Sequence, residues 1–306
     1  MSSIPERFSG VLSPVVTPFN KHLGPDADRL ISQCQWLLSQ NVGLAVFGTN
    51  SEANSLSVEE KIALLDRLVG SGIDPLRMMP GTGCCALMDS VRLTAHAVQL
   101  GCAGTLMLPP FYYKGVSDDG LFRSYAEIIE RVGSIALRIY LYHIPPIAQV
   151  GISLDLIERL IKAYPDTVVG IKDSSGDWNN TQSMLRRQWD DFRIFCGSET
   201  FLLQTMQGGG AGCISATANV NPAAIHELYT EWQSENAGEL QQDLDNIRDQ
   251  VMAYPMIPAL KSLVAHFTGQ PEWAIVRPPL VELDATRSNE LVDSLKRSGF
   301  SMPGLG

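Results

Sequence analysis

The chain has 306 residues, 45% hydrophobic and 18% charged, with a formal charge of −10 from 23 Lys plus Arg and 33 Asp plus Glu. An acidic chain without a clustered basic stretch argues against nucleic acid or an anionic membrane as partner, although a few local donors can still bind a small anion. The start Met1-Ser2-Ser3-Ile4-Pro5-Glu6-Arg7 lacks the basic and apolar parts of a signal peptide, and no apolar run approaches the ~20 residues that cross a bilayer, so a cytoplasmic protein is expected.

Short apolar segments alternate with helical patterns. Gly10 to Val16 reads as a first strand stopping at Thr17-Pro18-Phe19, and Asp26 to Leu38 as a helix. Gly43 to Phe47 is a second strand running into Gly48-Thr49-Asn50-Ser51-Glu52. Ser57 with Glu60 forms a capping box that opens the next helix. Met78 to Pro80 is a weak third strand before Gly81-Thr82-Gly83. Gly104 to Leu108 is the fourth, ending in Pro109-Pro110-Phe111-Tyr112-Tyr113. Leu137 to Leu141 is the fifth, ending in Tyr142-His143-Ile144-Pro145. Val168 to Lys172, Arg193 to Cys196 and Cys213 to Ser215 are the sixth to eighth. Helices fill the intervals from Asp89, Ser117 and Ser153.

Strands joined by helical crossovers form a parallel sheet, and eight such units over residues 1–220 predict a (β/α)8 TIM barrel. An open doubly wound sheet is less favoured because no Gly-x-Gly-x-x-Gly follows the first strand. Residues 221–306 read as a C-terminal helical extension, with helices over Pro222–Gln233, Glu239–Ala253, Pro258–Phe267 and Asn289–Arg297.

The sixth strand, Val168-Val169-Gly170-Ile171-Lys172, stands out. Its apolar run suits a strand buried on both faces, and it ends at a lysine followed by the turn-forming Asp173-Ser174-Ser175-Gly176. Desolvation disfavours an ammonium, and a neutral amine is a nucleophile toward carbonyl carbon. Taken alone, the stretch better fits a lysine that closes a strand and pairs with a neighbouring carboxylate such as Asp173. In a TIM barrel, however, the loops after the strands form one active-site mouth. Thr49, Asn50, Thr82, Tyr112, Tyr142, Lys172 and Glu199 all fall at or just past strand ends. The other lysines (Lys21, Lys61, Lys114, Lys162, Lys261, Lys296) fall in polar loops or on helices.

Metal chemistry has little support: the five histidines are scattered, and only His143 lies near a strand end. The six cysteines, Cys34, Cys84, Cys85, Cys102, Cys196 and Cys213, show no zinc spacing and read as reduced packing residues, with a redox-active Cys84–Cys85 pair as the alternative. No Walker loop or Gly-x-Ser-x-Gly elbow is present. Neither metal nor cofactor is expected.

The spaced motifs Thr17-Pro18-Phe19, Gly48-Thr49-x-x-Glu52-Ala53, Gly81-Thr82-Gly83, Pro110-Phe111-Tyr112, Tyr142-x-x-Pro145, Gly170-Ile171-Lys172 and Ile214-Ser215-x-Thr217-Ala218-Asn219 belong together. In this order they resemble the class I aldolases and lyases grouped with dihydrodipicolinate synthase and N-acetylneuraminate lyase, over about Gly10 to Leu280. The resemblance implies that Lys172 forms a Schiff base with a 2-oxo acid, usually pyruvate, and that Tyr142 shuttles protons with Thr49 as relay. It implies that Tyr112 is lent to a neighbouring subunit's site, in a homotetramer built as a dimer of dimers. It further implies that Asn50, Ser174, Glu199 and Ile214 contact substrate, Glu199 and Ser174 where neuraminate lyases meet their sugar chain, while His143 is a candidate to line the pocket by its place near a strand end. Partners would then be a 2-oxo acid and an aldehyde.

Two departures bear on substrate. The family's Gly-Thr-Thr-Gly-Glu is here Gly48-Thr49-Asn50-Ser51-Glu52, and asparagine can still donate hydrogen bonds. Dihydrodipicolinate synthases also carry an arginine for the acceptor's carboxylate two residues beyond the proline of Tyr-x-x-Pro, where this chain has Ile147. Lys114 and Arg277 are the cations that could replace that charge. The expected function is therefore a Schiff-base aldolase or lyase. The synthase proper and a 2-oxo-acid dehydratase are alternatives within the family, and a catalytically silent carboxylate sensor is the alternative outside it.

Overall fold

A computed structural model describes residues 6–305. Seven parallel strands run in the order β2-β1-β7-β6-β5-β4-β3: β1 Gly10–Ser13, β2 Gly43–Leu44, β3 Thr105–Met107, β4 Ile139–His143, β5 Val168–Asp173, β6 Arg193–Cys196 and β7 Gly212–Ile214. Residues 78–82 close the ring between the two edges. Met79 N–H donates to Leu44 C=O at 2.8 Å and Gly81 N–H to Val46 C=O at 2.7 Å on one side, and Thr82 N–H donates to Leu106 C=O at 3.0 Å on the other. This eighth segment makes only isolated bridges, Leu44 to Met78 and Gly81 to Leu106, because Pro80 at its centre has no N–H to donate. The neighbouring glycines are forced by space. A Cβ on Gly81 would lie 2.1 Å from the Phe47 carbonyl oxygen, and one on Gly83 would lie 2.3 Å from the Leu108 nitrogen.

The molecule is thus the expected barrel, with observed strands shorter than the apolar runs in the sequence. Pro14 ends β1 three residues early by removing a donor. Alternate residues divide between two layers, as a strand's period of two requires. Leu12, Met79, Leu106, Tyr140, Tyr142, Phe195 and Ile214 fill the barrel, whereas Ile139, Leu141, Ile171 and Ile194 face the surrounding helices. Tyr140 accepts from the Phe8 N–H at 2.5 Å, which seats the N-terminal segment against the barrel interior.

The helices follow their sequence signals. Asp26 caps Ala27–Ser39 through the Arg29 N–H, and Ser57 and Glu60 form the reciprocal capping box of Val58–Gly70. Helix Pro222–Thr230 packs against β1, so by contact it sits with the barrel. Three more helices follow: Ala237–Met252, Met256–Thr268 and Ala285–Arg297. The buried face of Met256–Thr268 (Ala259, Leu260, Leu263, Val264) joins one apolar cluster with Val15, Val16, Phe19 and Leu30, so the extension grips the barrel near the end of β1. Among the described residues no helix is long and apolar enough to cross a membrane. All six cysteines are unpaired, and burial pushes the Cys102 thiol up to about 12.

Candidate active site

Lys172 and Tyr142 sit directly opposite one another in the β4–β5 register, both 2% exposed. Adjacent parallel strands present partnered residues to the same side, so the amine and the phenol are brought together by the sheet itself. Lys172 Nζ donates to Tyr142 Oη at 3.3 Å and lies 4.3 Å from the ring centroid. Thr49 Oγ1 lies 3.2 Å from the same phenol oxygen. With the amine donating to the phenol oxygen, the phenol's own proton can point to Thr49, which gives a three-membered relay.

Asp173 does not pair with Lys172. As the next residue along β5 it faces the helix layer, where its carboxylate accepts from Ser175 N–H at 2.9 Å, Asn180 Nδ2 at 3.0 Å and Thr181 Oγ1 at 2.7 Å. Among the described residues no carboxylate lies within ion-pair distance of Lys172. The strand-closing reading of Lys172 with Asp173 is thereby excluded in this arrangement.

Thr49 and Asn50 lie on the short 3₁₀ turn Thr49–Ser51, both half-buried. The turn is tied at both ends. Ser51 Oγ accepts from Gly48 N–H at 3.2 Å, and Thr17 Oγ1 donates to Ser51 C=O at 2.7 Å. Ile214, at the end of β7, is fully buried in the barrel interior.

Other candidates lie elsewhere. His143 follows Tyr142 and so points out of the barrel, where its Nδ1 accepts from Ile152 N–H at 2.9 Å. That fixes a neutral ring with the proton on Nε2. Burial lowers its pKa, and the charge of Asp173 opposes that shift. Thr82 likewise points outward, accepting from Thr94 Oγ1 at 3.0 Å. Ser174 is half-buried at the strand end, its N–H donating to His143 C=O at 2.7 Å and its hydroxyl packed against Gly197. Glu199 is 1% exposed and held by three donors: it accepts from Ser215 Oγ, from Thr217 Oγ1 and from Arg248 Nη1 at 2.7 Å. Its carboxylate is a strut between β6, β7 and helix Ala237–Met252.

Tyr112 is 73% exposed and stacks edge-on against Tyr113, with ring centroids 5.3 Å apart. Ile147, 62% exposed, rides on the short helix Pro145–Ala148 just beyond Tyr142. Neither cation expected to recharge this region is free. Lys114 Nζ donates to the carbonyls of Phe111 and Ala148, the latter at 2.7 Å. Arg277 donates to Glu60, to Ser55 C=O and to Leu23 C=O.

The sequence profile of the dihydrodipicolinate synthetase family matches residues 7–298. The chain belongs to the dihydrodipicolinate synthetase family. It is 32% identical over 290 residues to an uncharacterized DapA-like lyase from Chloroflexus aurantiacus, covering 94% of each chain. Its fold superposes on dihydrodipicolinate synthase from Agrobacterium tumefaciens with a TM-score of 0.87 at 30% identity, covering 94% of this chain and 98% of that one. A second family member, YagE from E. coli K12, solved in complex with pyruvate, matches with a TM-score of 0.87 at 25% identity, covering 97% and 100%. The dihydrodipicolinate synthetase fold thus accounts for both barrel and C-terminal helices.

One pair escaped the sequence reading. Lys261 and Glu52 are buried together, Nζ to Oε1 at 2.7 Å, with side-chain exposures of 0% each. Lys61 is also buried, at 5%. Position in a helix therefore did not separate exposed lysines from buried ones. The signal was present: Ile257 to Phe267 is apolar nearly all round the helix, and such a helix is buried, so its one lysine needs a partner.

Proposed function

We propose that this protein is a class I aldolase or lyase that forms a Schiff base between Lys172 and a 2-oxo acid such as pyruvate. The observation that carries this reading is the 3.3 Å contact of Lys172 Nζ with Tyr142 Oη, itself 3.2 Å from Thr49, with no carboxylate among the described residues competing for the amine. Binding alone would require neither the amine nor the phenol, which weighs against a silent sensor.

The neutral amine attacks the ketone carbon, forming a C–N bond, and the former carbonyl oxygen takes up a proton. Tyr142 then protonates that hydroxyl so that it leaves as water, giving the protonated imine. The imine acts as an electron sink. The Tyr142 phenolate left by that step takes a proton from the adjacent carbon to give an enamine, whose carbon attacks an aldehyde while Tyr142 passes the proton on to the new alkoxide. Hydrolysis releases the product and regenerates the amine, and cleavage runs the same steps backwards. Thr49, hydrogen-bonded to Tyr142, relays protons to and from the phenol. Asn50 and the N–H groups of its turn would hold the donor's carboxylate.

Ile147 supports an acceptor without a carboxylate at that end, because Lys114 and Arg277 are already committed to carbonyls and to Glu60. We further propose a cytoplasmic homotetramer in which Tyr112 completes a neighbour's site, which gives this exposed aromatic a place out of water. Borohydride reduction in the presence of pyruvate tests the chemistry: a covalent adduct is expected on Lys172, and mapping it to another lysine would overturn the mechanism.

A further inference from the structure

The pair formed by Lys261 and Glu52 reaches from the C-terminal extension into the turn that carries Thr49. Lys261 Nζ donates to Glu52 Oε1 at 2.7 Å and to Thr17 C=O at 2.8 Å, and it lies 4.5 Å from the Phe19 ring centroid. The other oxygen of Glu52 accepts from the Arg277 N–H at 2.9 Å. Glu52 itself occupies the left-handed region (φ 55°, ψ 35°), where a residue with a Cβ persists only when its surroundings hold it. It stands between the 3₁₀ turns Thr49–Ser51 and Ala53–Ser55, so its conformation sets where Thr49 and Asn50 point. Thr17, whose carbonyl Lys261 holds, grips the other side of the turn through the carbonyl of Ser51.

A buried ion pair is a poor device for stability alone, because desolvation offsets most of the attraction and an apolar pair would serve as well. It is a good device for fixing direction. We infer that Lys261 and Glu52 are positioning residues of the active site. Through them the C-terminal extension holds the Thr49–Asn50 turn in the shape that binds the donor's carboxylate and keeps Thr49 on Tyr142. This inference rests on the aldolase reading only for the identity of the donor.

The test compares the full-length wild type with Lys261→Met, Glu52→Gln and the double variant, which removes both charges. Three readings are taken: pyruvate affinity by titration calorimetry, imine formation by borohydride trapping, and thermal unfolding. In the double variant the Tm is expected to return near wild type, while the Kd for pyruvate stays at least tenfold weaker. A purely structural pair would instead recover affinity along with Tm. A double variant binding pyruvate within twofold of wild type overturns the inference, and that comparison decides the matter even if Lys261→Met alone fails to fold. A wild type that binds pyruvate yet gives no borohydride adduct overturns the imine chemistry instead and leaves the affinity comparison standing. A wild type that binds no pyruvate overturns both.

Discussion

Tyr142 and Lys172 are partners across β4 and β5, and the register of two buried strands sets the phenol and the amine 3.3 Å apart. A sheet is stiff, so neither group needs to be ordered when substrate arrives, and preorganised positioning of this kind lowers reaction barriers. Tyr142→Phe keeps the ring beside the amine but removes the proposed proton carrier. Turnover should fall by roughly 10²–10⁴-fold, the usual contribution of a general acid–base group, with Tm little changed. Lys172→Ala should abolish turnover. Steady-state rates on the same 2-oxo acid, with thermal unfolding as control, check both.

Ile147 is expected to govern the choice of acceptor. An arginine at this position would offer two charge-assisted hydrogen bonds to an acceptor carboxylate, each worth about 1.5–3 kcal/mol. Their loss costs roughly 3–6 kcal/mol, or two to four decades at ~1.4 kcal/mol per decade. Aspartate semialdehyde should therefore be a poor acceptor, and Ile147→Arg should improve its use more than that of neutral aldehydes. Efficient condensation by the wild type, measured as kcat/KM, would contradict this.

Tyr112 should lie at a subunit boundary. Light scattering should report an oligomer at working concentration, and Tyr112→Ala should lower kcat in a protein whose individual barrels remain folded by circular dichroism. A fully active monomer would refute the lent tyrosine.

Glu199 should matter to stability more than to substrate. Arg248→Met leaves a carboxylate of 2% side-chain exposure with its charge unpaired, a change that costs about 3–5 kcal/mol in buried pairs, the lower end applying because Arg248 is 11% exposed. Tm should drop by on the order of 10 °C while the relative rates on different aldehydes stay fixed. A shift in aldehyde preference with unchanged Tm would return Glu199 to the substrate.

Stability should also fall on mild acidification. Burial holds the pKa of His143 below its ordinary 6.5, and the same direction applies to His226 and His266. The unfolded chain then binds protons that the folded one refuses. Stability is full above about 6.5 and is lost as pH falls from there through the lower folded value. A His143→Asn variant should show a shallower loss of Tm between pH 7 and pH 5, because its amide oxygen can accept from Ile152 without titrating. An unchanged slope would show that His143 does not contribute.

The sequence by itself determined the barrel, because eight apolar runs alternating with amphipathic helices have few other ways to bury their faces. It also marked Lys172 and Tyr142 as candidates, since a polar residue at the end of a buried run must face either the mouth or the helix layer. Which of those two it faces was beyond the sequence, because strand ends and registers are set by neighbouring strands. That choice separated Tyr142 from His143 and Lys172 from Asp173, adjacent residues with opposite destinations. Tertiary structure alone decided the long-range pairs: Glu199 with Arg248, and Glu52 with a lysine 209 positions away. Buried charges find their partners through space, and nothing in local spacing records where the chain will bring them.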